Sequence, residues 1–188
     1  RNAVQWGIRQ KQTGADSLTI GGAIAANIHG RGLAYPPFSA DVESLQLLCA
    51  GGELVTCSRQ QHPDLFRLVV GGYGLFGVVT SARLRMVRRQ KVERVVELLG
   101  LPELMQAFDA RIRAGYTYGD FQFATDPGSP GFLNDGVFSC YRPVDDALPI
   151  AANQLRLHQA DWRRLLYLAH VNKRRAFIEF TDFYLRSS

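Results

Sequence analysis

The sequence has 188 residues, 46% of them hydrophobic and 21% charged, with 22 Lys and Arg against 17 Asp and Glu for a net charge of +5. That apolar content offsets the entropy of ordering and excludes a disordered chain. Eighteen glycines without a three-residue period exclude collagen, and no run approaches the roughly 18 apolar residues of a membrane-spanning helix. A soluble globular chain is expected, long enough for one full domain or parts of two.

Two regimes meet near residue 90, a glycine-rich one before it and one of longer helical periods after it. Residues 17–20 read as a short strand ending at Gly21-Gly22, and residues 23–28, rich in small apolar side chains, as a tightly packed helical turn. Residues 45–49 and 53–57 read as a hairpin, with Gly51-Gly52 supplying the positive φ of its turn. Pro63 suits the first position of a helix, Asp64 its positive end, and Leu65, Phe66 and Val69 follow at helical spacing. Gly71, Gly72, Gly74 and Gly77 break that helix, and residues 78–86 read as a strand. Beyond residue 90, strands are expected at 92–98, 120–124 and 137–141, with a Pro/Gly loop over 125–136. A helix is expected over 102–114, with Leu104, Met105, Phe108 and Ile112 on one face. A second is expected from 153 to about 172, with Trp162, Leu165, Leu166 and Ala169 on one face. Residues 177–185 are aromatic-rich and fit helix or strand. Mixed order without regular βαβ alternation indicates an α+β fold rather than a doubly wound one.

The cysteines Cys49, Cys57 and Cys140 are too few and too scattered for a disulfide framework or a four-ligand zinc site, and read as thiols in a reducing, cytoplasmic setting. The chain opens at Arg1 rather than Met and shows no signal peptide, so a fragment is expected. Arginine supplies most of the positive charge, 19 Arg against 3 Lys. The cluster Arg83, Arg85, Arg88, Arg89 and Lys91 has no interleaved stacking aromatics, so it reads as a solvated strand edge and not a nucleic-acid groove. Asp120 and Asp145-Asp146 show no metal-site spacing. His170 and Lys173, at helical i and i+3, read as exposed helix polarity, and Tyr116 and Tyr118 as packing residues.

The chemistry points to residues 14–32, GADSLTIGGAIAANIHGRG. Glycine pairs let backbone approach a ligand, and amides at a turn into a helix form a nest for anionic oxygens. Gly21 and Gly22 are therefore candidates to sit on a pyrophosphate, with Thr19 as an added hydroxyl donor, the alternative being that the pair marks only a tight turn. The segment is neither the dinucleotide G-x-G-x-x-G fingerprint nor a P-loop.

Three blocks in order, SLTIGGAIAANIHGRG, VESLQLLCAGGELVTCS and HPDLFRLVVGGYGLFGVVTSARLRM, resemble the PCMH-type FAD-binding domain of the vanillyl-alcohol oxidase superfamily over residues 13–90. Within it the resemblance is nearest to decaprenylphosphoryl-ribose oxidase, the aldonolactone oxidases and the alditol oxidases. It implies that residues 1–90 are the C-terminal part of the FAD-binding domain. This would be its second subdomain, a mostly antiparallel sheet flanked by helices. Residues 91–188 would be the N-terminal part of an α+β substrate, or cap, domain. It further implies FAD contacts from Gly14, Thr19, Ile20, Gly21 and Gly22 along the pyrophosphate and ribityl chain. Ala26, Asn27, Ile28 and His29 would lie beside the isoalloxazine, and Val79 on the adenine edge.

By the same resemblance, the parent enzyme oxidises an alcohol carbon of a sugar, polyol or aldonolactone-like substrate by hydride transfer to flavin, the fragment itself being inactive. Its electron acceptor is oxygen, a quinone or another carrier. His29 is the candidate base, or else orients flavin or substrate. Arg31 stabilises reduced flavin, binds substrate, or is a plain exposed arginine. The alternative is a non-catalytic binding or scaffold module of the same fold.

Overall fold

The computed structural model describes residues 5–10, 17–150, 152 and 154–188, and the chain divides into two units, Arg1–Arg89 and Gln90–Ser188. The first unit contains β1 (Trp6–Gly7), a short helix α1 (Ile20–Ala25) and a 3-10 turn over Phe38–Asp41. It continues with β2 (Val42–Leu48), β3 (Leu54–Ser58), helix α2 (Pro63–Val69), β4 (Val78–Leu84) and β5 (Val87–Arg88). β2 lies at the centre of an antiparallel sheet ordered β3-β2-β4, and β1 pairs with β5.

The period of two along a strand puts Leu45 and Leu47 on one face and Ser44 and Gln46 on the other. Val42 has the wrong parity for the core, yet it is as buried as Leu47. A register shift against β4 between Val42 and Ser44 adds a residue to β2 and turns Val42 inward. The opposite face is polar, and the Ser81 hydroxyl donates to Gln46 Oε1 across it at 2.8 Å. Onto the apolar face pack Ala23 and Ile24 of α1, Phe66 and Val69 of α2, and Phe38, with Cys57 completing the core.

The strand expected at 17–20 is not formed, and Gly21-Gly22 is not a turn. The Thr19 hydroxyl accepts the Gly22 amide at 3.0 Å and starts α1 at Ile20, so the glycine pair lies inside the first helical turn. The apolar string Leu18-Thr19-Ile20 reads as a strand only if this cap is overlooked. In the hairpin between β2 and β3, only Gly52 has a positive φ, +88°, and its amide donates to the Cys49 carbonyl at 3.0 Å. Helix α2 carries Pro63 in its first turn, after His62 at φ +48°.

The second unit is an antiparallel sheet ordered β6-β8-β7, from β6 (Val92–Gly100), β7 (Tyr118–Phe123) and β8 (Asp135–Pro143), with helix α3 (Leu101–Arg113) between β6 and β7. Helices α4 (Gln159–Val171) and α5 (Lys173–Arg186) follow. The central strand β8 is buried on both faces over Gly136–Cys140, which is why its sequence does not alternate. Phe138 meets Phe108 of α3 edge-on, ring centroids 4.8 Å apart. Val137 packs instead with Val96 and Tyr184 of α5.

The helix expected from residue 153 begins only at Gln159. There the His158 amide donates to Asp161 Oδ2 at 2.8 Å in a capping box, and the residues before it stay irregular. Its buried positions are Leu165 and Leu168, while Leu166, assigned to the inner face, is 69% exposed. Met105 of α3 likewise faces out. The aromatic stretch left open between helix and strand is helical. Asn172 caps it by accepting the Arg175 amide at 3.0 Å, and Ala176 and Tyr184 recur on its buried side.

Candidate functional site

The approach of α1 to β4 shapes the most informative cleft of the first unit. A Cβ on Gly21 would lie 3.1 Å from the Val79 carbonyl oxygen and 3.4 Å from the Val79 Cβ, so the bare helix turn rests directly on the strand backbone. A Cβ on Gly22 would lie 3.0 Å from the Thr19 hydroxyl oxygen, so the second glycine leaves room for the cap. The Ala23 amide donates to the Thr19 carbonyl at 2.9 Å. Among the described residues the Ile20 and Gly21 amides have no such partner and remain the open donors of the turn. β4 is an edge strand, so the backbone groups on its outer side have no sheet partner either.

The loop between α2 and β4 closes the far side. Its Gly71 amide donates to the Ile24 carbonyl at 3.1 Å and its Tyr73 amide to the Ala25 carbonyl at 2.9 Å, satisfying the orphan carbonyls at the C-terminus of α1. Asn27 turns the chain out of the helix at φ +43°. The resulting cleft has a volume of about 270 Å³ and is walled by Thr19, Gly21, Gly22 and Ala25 on one side and by Gly77, Val78 and Val79 on the other. Val69, Tyr73, Gly74 and Phe76 complete it. No charged side chain lines it, so a ligand there is met by backbone amides, the hydroxyls of Thr19 and Tyr73, and apolar or aromatic surface.

The sequence-derived residues separate in the structure. Thr19, Gly21, Gly22 and Val79 share this cleft. Ile20 is 39% exposed and does not line it, though its amide is one of the turn's two open donors. Asn27 lines a second, wider hollow of about 670 Å³ with Ser39, Arg59, Phe66 and Arg67. Ile28 packs on the core, Ala26 is exposed at the end of α1, and neither lines either of these two hollows. Gly14 lies outside the described residues.

His29 is exposed and outside the cleft, with Nδ1 3.1 Å from the Gly30 carbonyl oxygen. A carbonyl only accepts, so in this bond Nδ1 donates, which in the uncharged tautomer leaves Nε2 as the acceptor. Arg31 is half-buried and does not line the cleft. The Thr19 hydroxyl oxygen accepts the Gly22 amide as the helix cap, which leaves its O–H to donate.

Sequence reading missed Val69, Tyr73, Phe76 and Val78. The signal available for the loop was the string GGYGLFG, whose glycines at 71, 74 and 77 all have positive φ.

In the second unit, Lys173 lines a separate apolar groove of about 230 Å³ with Phe123, Trp162, Phe177 and Phe180, whereas His170 does not. Tyr116 is buried and its hydroxyl accepts from Arg111 Nη1 at 2.8 Å, a packing role. Burial pushes the Cys140 thiol up to about 12, which keeps it protonated and unreactive. Arg83 and Arg85 reach the same carboxylate of Glu43, at 3.0 and 3.9 Å, on the outer strand of their sheet. Among the described residues, no group of three or more His, Cys, Asp or Glu side chains is placed to hold a metal ion, and no helix is long and apolar enough to cross a membrane.

Known proteins resemble the chain over between about a third and four fifths of its length. Cytokinin dehydrogenase 2 of Oryza sativa subsp. japonica is 44% identical over 68 residues, 36% of this chain and 12% of that protein. Cytokinin dehydrogenase 9 of the same plant is 35% identical over 85 residues, 45% of this chain and 16% of that protein. Cytokinin dehydrogenase 3 of Arabidopsis thaliana is 30% identical over 161 residues, 83% of this chain and 29% of that protein. The chain thus spans less than a third of the length of these relatives. No family model matches it. The nearer kinship to sugar and alditol oxidases expected from the motifs gains no support from these relatives. At low identity, the similarity supports placing the chain in the superfamily of PCMH-type FAD-binding oxidoreductases, the flavoproteins to which the cytokinin dehydrogenases belong.

Proposed function

We propose that the chain carries part of the flavin site of an FAD-dependent dehydrogenase. Residues 1–90 would be the later part of a PCMH-type FAD-binding domain and residues 91–188 the first part of a substrate domain. The single observation that carries this reading is the cleft between α1 and the edge of β4. There, two side-chain-free positions, two open amides and an unpaired strand edge meet with no charge among them. At about 270 Å³ it fits one heteroaromatic ring of a dinucleotide with its adjoining oxygens, slightly below the volume of a whole ligand pocket.

Bound FAD would supply the hydride acceptor. The chain's own contributions are positional. The Ile20 and Gly21 amides would donate to ligand oxygens, Thr19 holds the turn that aims them, and the β4 edge beside Val79 offers backbone partners to a ring. His29, with Nε2 as its free acceptor, is the proposed base for the donor's proton. Arg31, two loop positions further on, is the proposed substrate or flavin contact.

The relatives' names give cytokinins as their substrates, so a cytokinin is the first donor to test and an alditol or sugar lactone the second. Titrating the protein with FAD, followed by flavin fluorescence, tests the cofactor. Saturable binding supports the proposal, and no uptake refutes it. FAD bound without bleaching by any donor would favour the non-catalytic alternative. In a protein that turns over, His29→Ala should lower the rate at least tenfold with an unchanged melting temperature. An unchanged rate removes His29 from the chemistry.

A further inference from the structure

Tyr73 stands out within the cleft. Its backbone is left-handed, φ +50°, a conformation that is strained for a bulky aromatic residue. The surrounding positions that need such angles, 71, 74 and 77, are all glycine. The backbone duty of position 73, donating its amide to Ala25, would be met equally well by glycine. Folding therefore does not account for the ring.

Nor does packing. Tyr73 is 80% exposed, and among the described residues it makes no ring contact and no hydroxyl hydrogen bond. Phe76 in the same loop behaves differently. A Cβ on Gly72 would lie 2.9 Å from the Phe76 ring, so that ring is already committed to the loop. The free ring lines the cleft together with Gly21, Gly22 and Val79.

The geometry points to Tyr73 as a ring-stacking residue that covers a flat heteroaromatic ring of the ligand held between α1 and β4. This rests on the flavin-dinucleotide reading of that cleft. A face of tyrosine suits such a ring because the cleft offers no charge to hold it, and stacking needs none. FAD has two candidate rings, adenine and isoalloxazine, and they are separated by using ADP and FMN as half-ligands.

The experiment measures the dissociation constants of FAD, ADP and FMN for the wild-type protein, Tyr73→Phe, Tyr73→Ala and Tyr73→Gly. Tyr73→Ala should weaken FAD by about five- to a hundredfold, with the same loss in one half-ligand, which names the ring. Tyr73→Phe should bind within about twofold of wild type. Tyr73→Gly relieves the left-handed φ, so it should fold at least as well as wild type while binding as weakly as Tyr73→Ala.

Unchanged FAD affinity in Tyr73→Ala and Tyr73→Gly overturns the stacking role and leaves the flavin site standing. A Phe variant as weak as the Ala variant overturns it too, since the hydroxyl would then be the contact. So does a loss confined to FAD with both half-ligands unaffected. A wild-type protein that binds none of the three ligands overturns the flavin reading and this one together.

Discussion

The contact between Gly21 and the Val79 backbone can be tested by filling it. A valine at position 21 places its Cβ 3.1 Å from the Val79 carbonyl oxygen before its two methyl groups are considered. The obstacle is main chain, and β4 is held by its register with β2, Leu47 opposite Val79 and Leu48 opposite Val78. Neither side yields without displacing α1, whose Ile24 is fully buried in the core beneath. Overpacking of this kind costs about 1–3 kcal/mol. For a unit of this size, each kcal/mol moves the melting temperature by about 4–8 °C, so Gly21→Val should melt about 5–20 °C below wild type.

Gly22→Ala is the control. Its added Cβ meets the Thr19 side-chain hydroxyl at 3.0 Å, and that group can rotate away. Rotation gives up a cap of about 1 kcal/mol, and alanine regains about 0.5–1 kcal/mol of helix propensity, so the net effect is small. Thermal unfolding followed by circular dichroism separates the pair. Equal melting temperatures for Gly21→Val and wild type would show that α1 does not rest on β4 as described, and the cleft would lose its wall.

Glu179 is clasped by Arg164 (2.8 and 2.9 Å) and Arg175 (2.9 Å), whose hydrogen bonds hold its carboxyl down at about 2. Because the folded-state value is depressed, the stabilisation is complete above the unfolded value near 4.5 and fades as pH falls toward about 2. Urea unfolding of Glu179→Gln should show lower stability than wild type at pH 7, and the gap should close below about pH 2; a gap that does not change with pH would refute the clasp. In thiol labelling, Cys57 and Cys140, both 0% exposed, should resist reagent in the native protein and react only on unfolding, leaving Cys49 as the reactive site. Fast native labelling of Cys140, detected by mass spectrometry, would contradict its burial. Asn172→Ala should cost about 1 kcal/mol by removing the cap of α5, measured by equilibrium denaturation, and no loss would deny the cap that role.

The longer strands and the start of α2 were legible because their signals are local: paired glycines at the hairpin, Pro63 at a helix start, a largely apolar stretch for β8. What escaped depends on hydrogen bonds between residues three apart or on distant packing. The strand expected at 17–20 became a cap because Thr19 finds the Gly22 amide. The late start of α4 comes from a His158–Asp161 capping box that propensity does not weigh. The inward turn of Val42 follows from a register shift against a strand some 40 residues away, which no window on β2 contains. At the site, the glycine pair was visible as a motif, but its partners Tyr73, Phe76 and Val78 come from a segment about 50 residues downstream that only the fold brings close.

The two glycines unite requirements usually treated as rivals. A glycine pair is read either as a tight-packing device or as a ligand cradle, and the first reading is taken to weaken the second. Here the geometry makes them the same requirement. Gly21 must be bare for α1 to reach β4, and that approach places the open Ile20 and Gly21 amides against an unpaired strand edge. Gly22 must be bare for Thr19 to cap the helix, and the cap fixes the direction of those amides. A side chain at Gly21 would disturb the fold and the cleft at once, whereas one at Gly22 would release the cap with little net change in stability. Variants selected for stability alone should therefore keep Gly21, whereas Tyr73, which folding does not need, should be lost readily under such selection and kept only where ligand binding is also required. A selection that discards Gly21 as freely as Tyr73 would break the link between packing and binding.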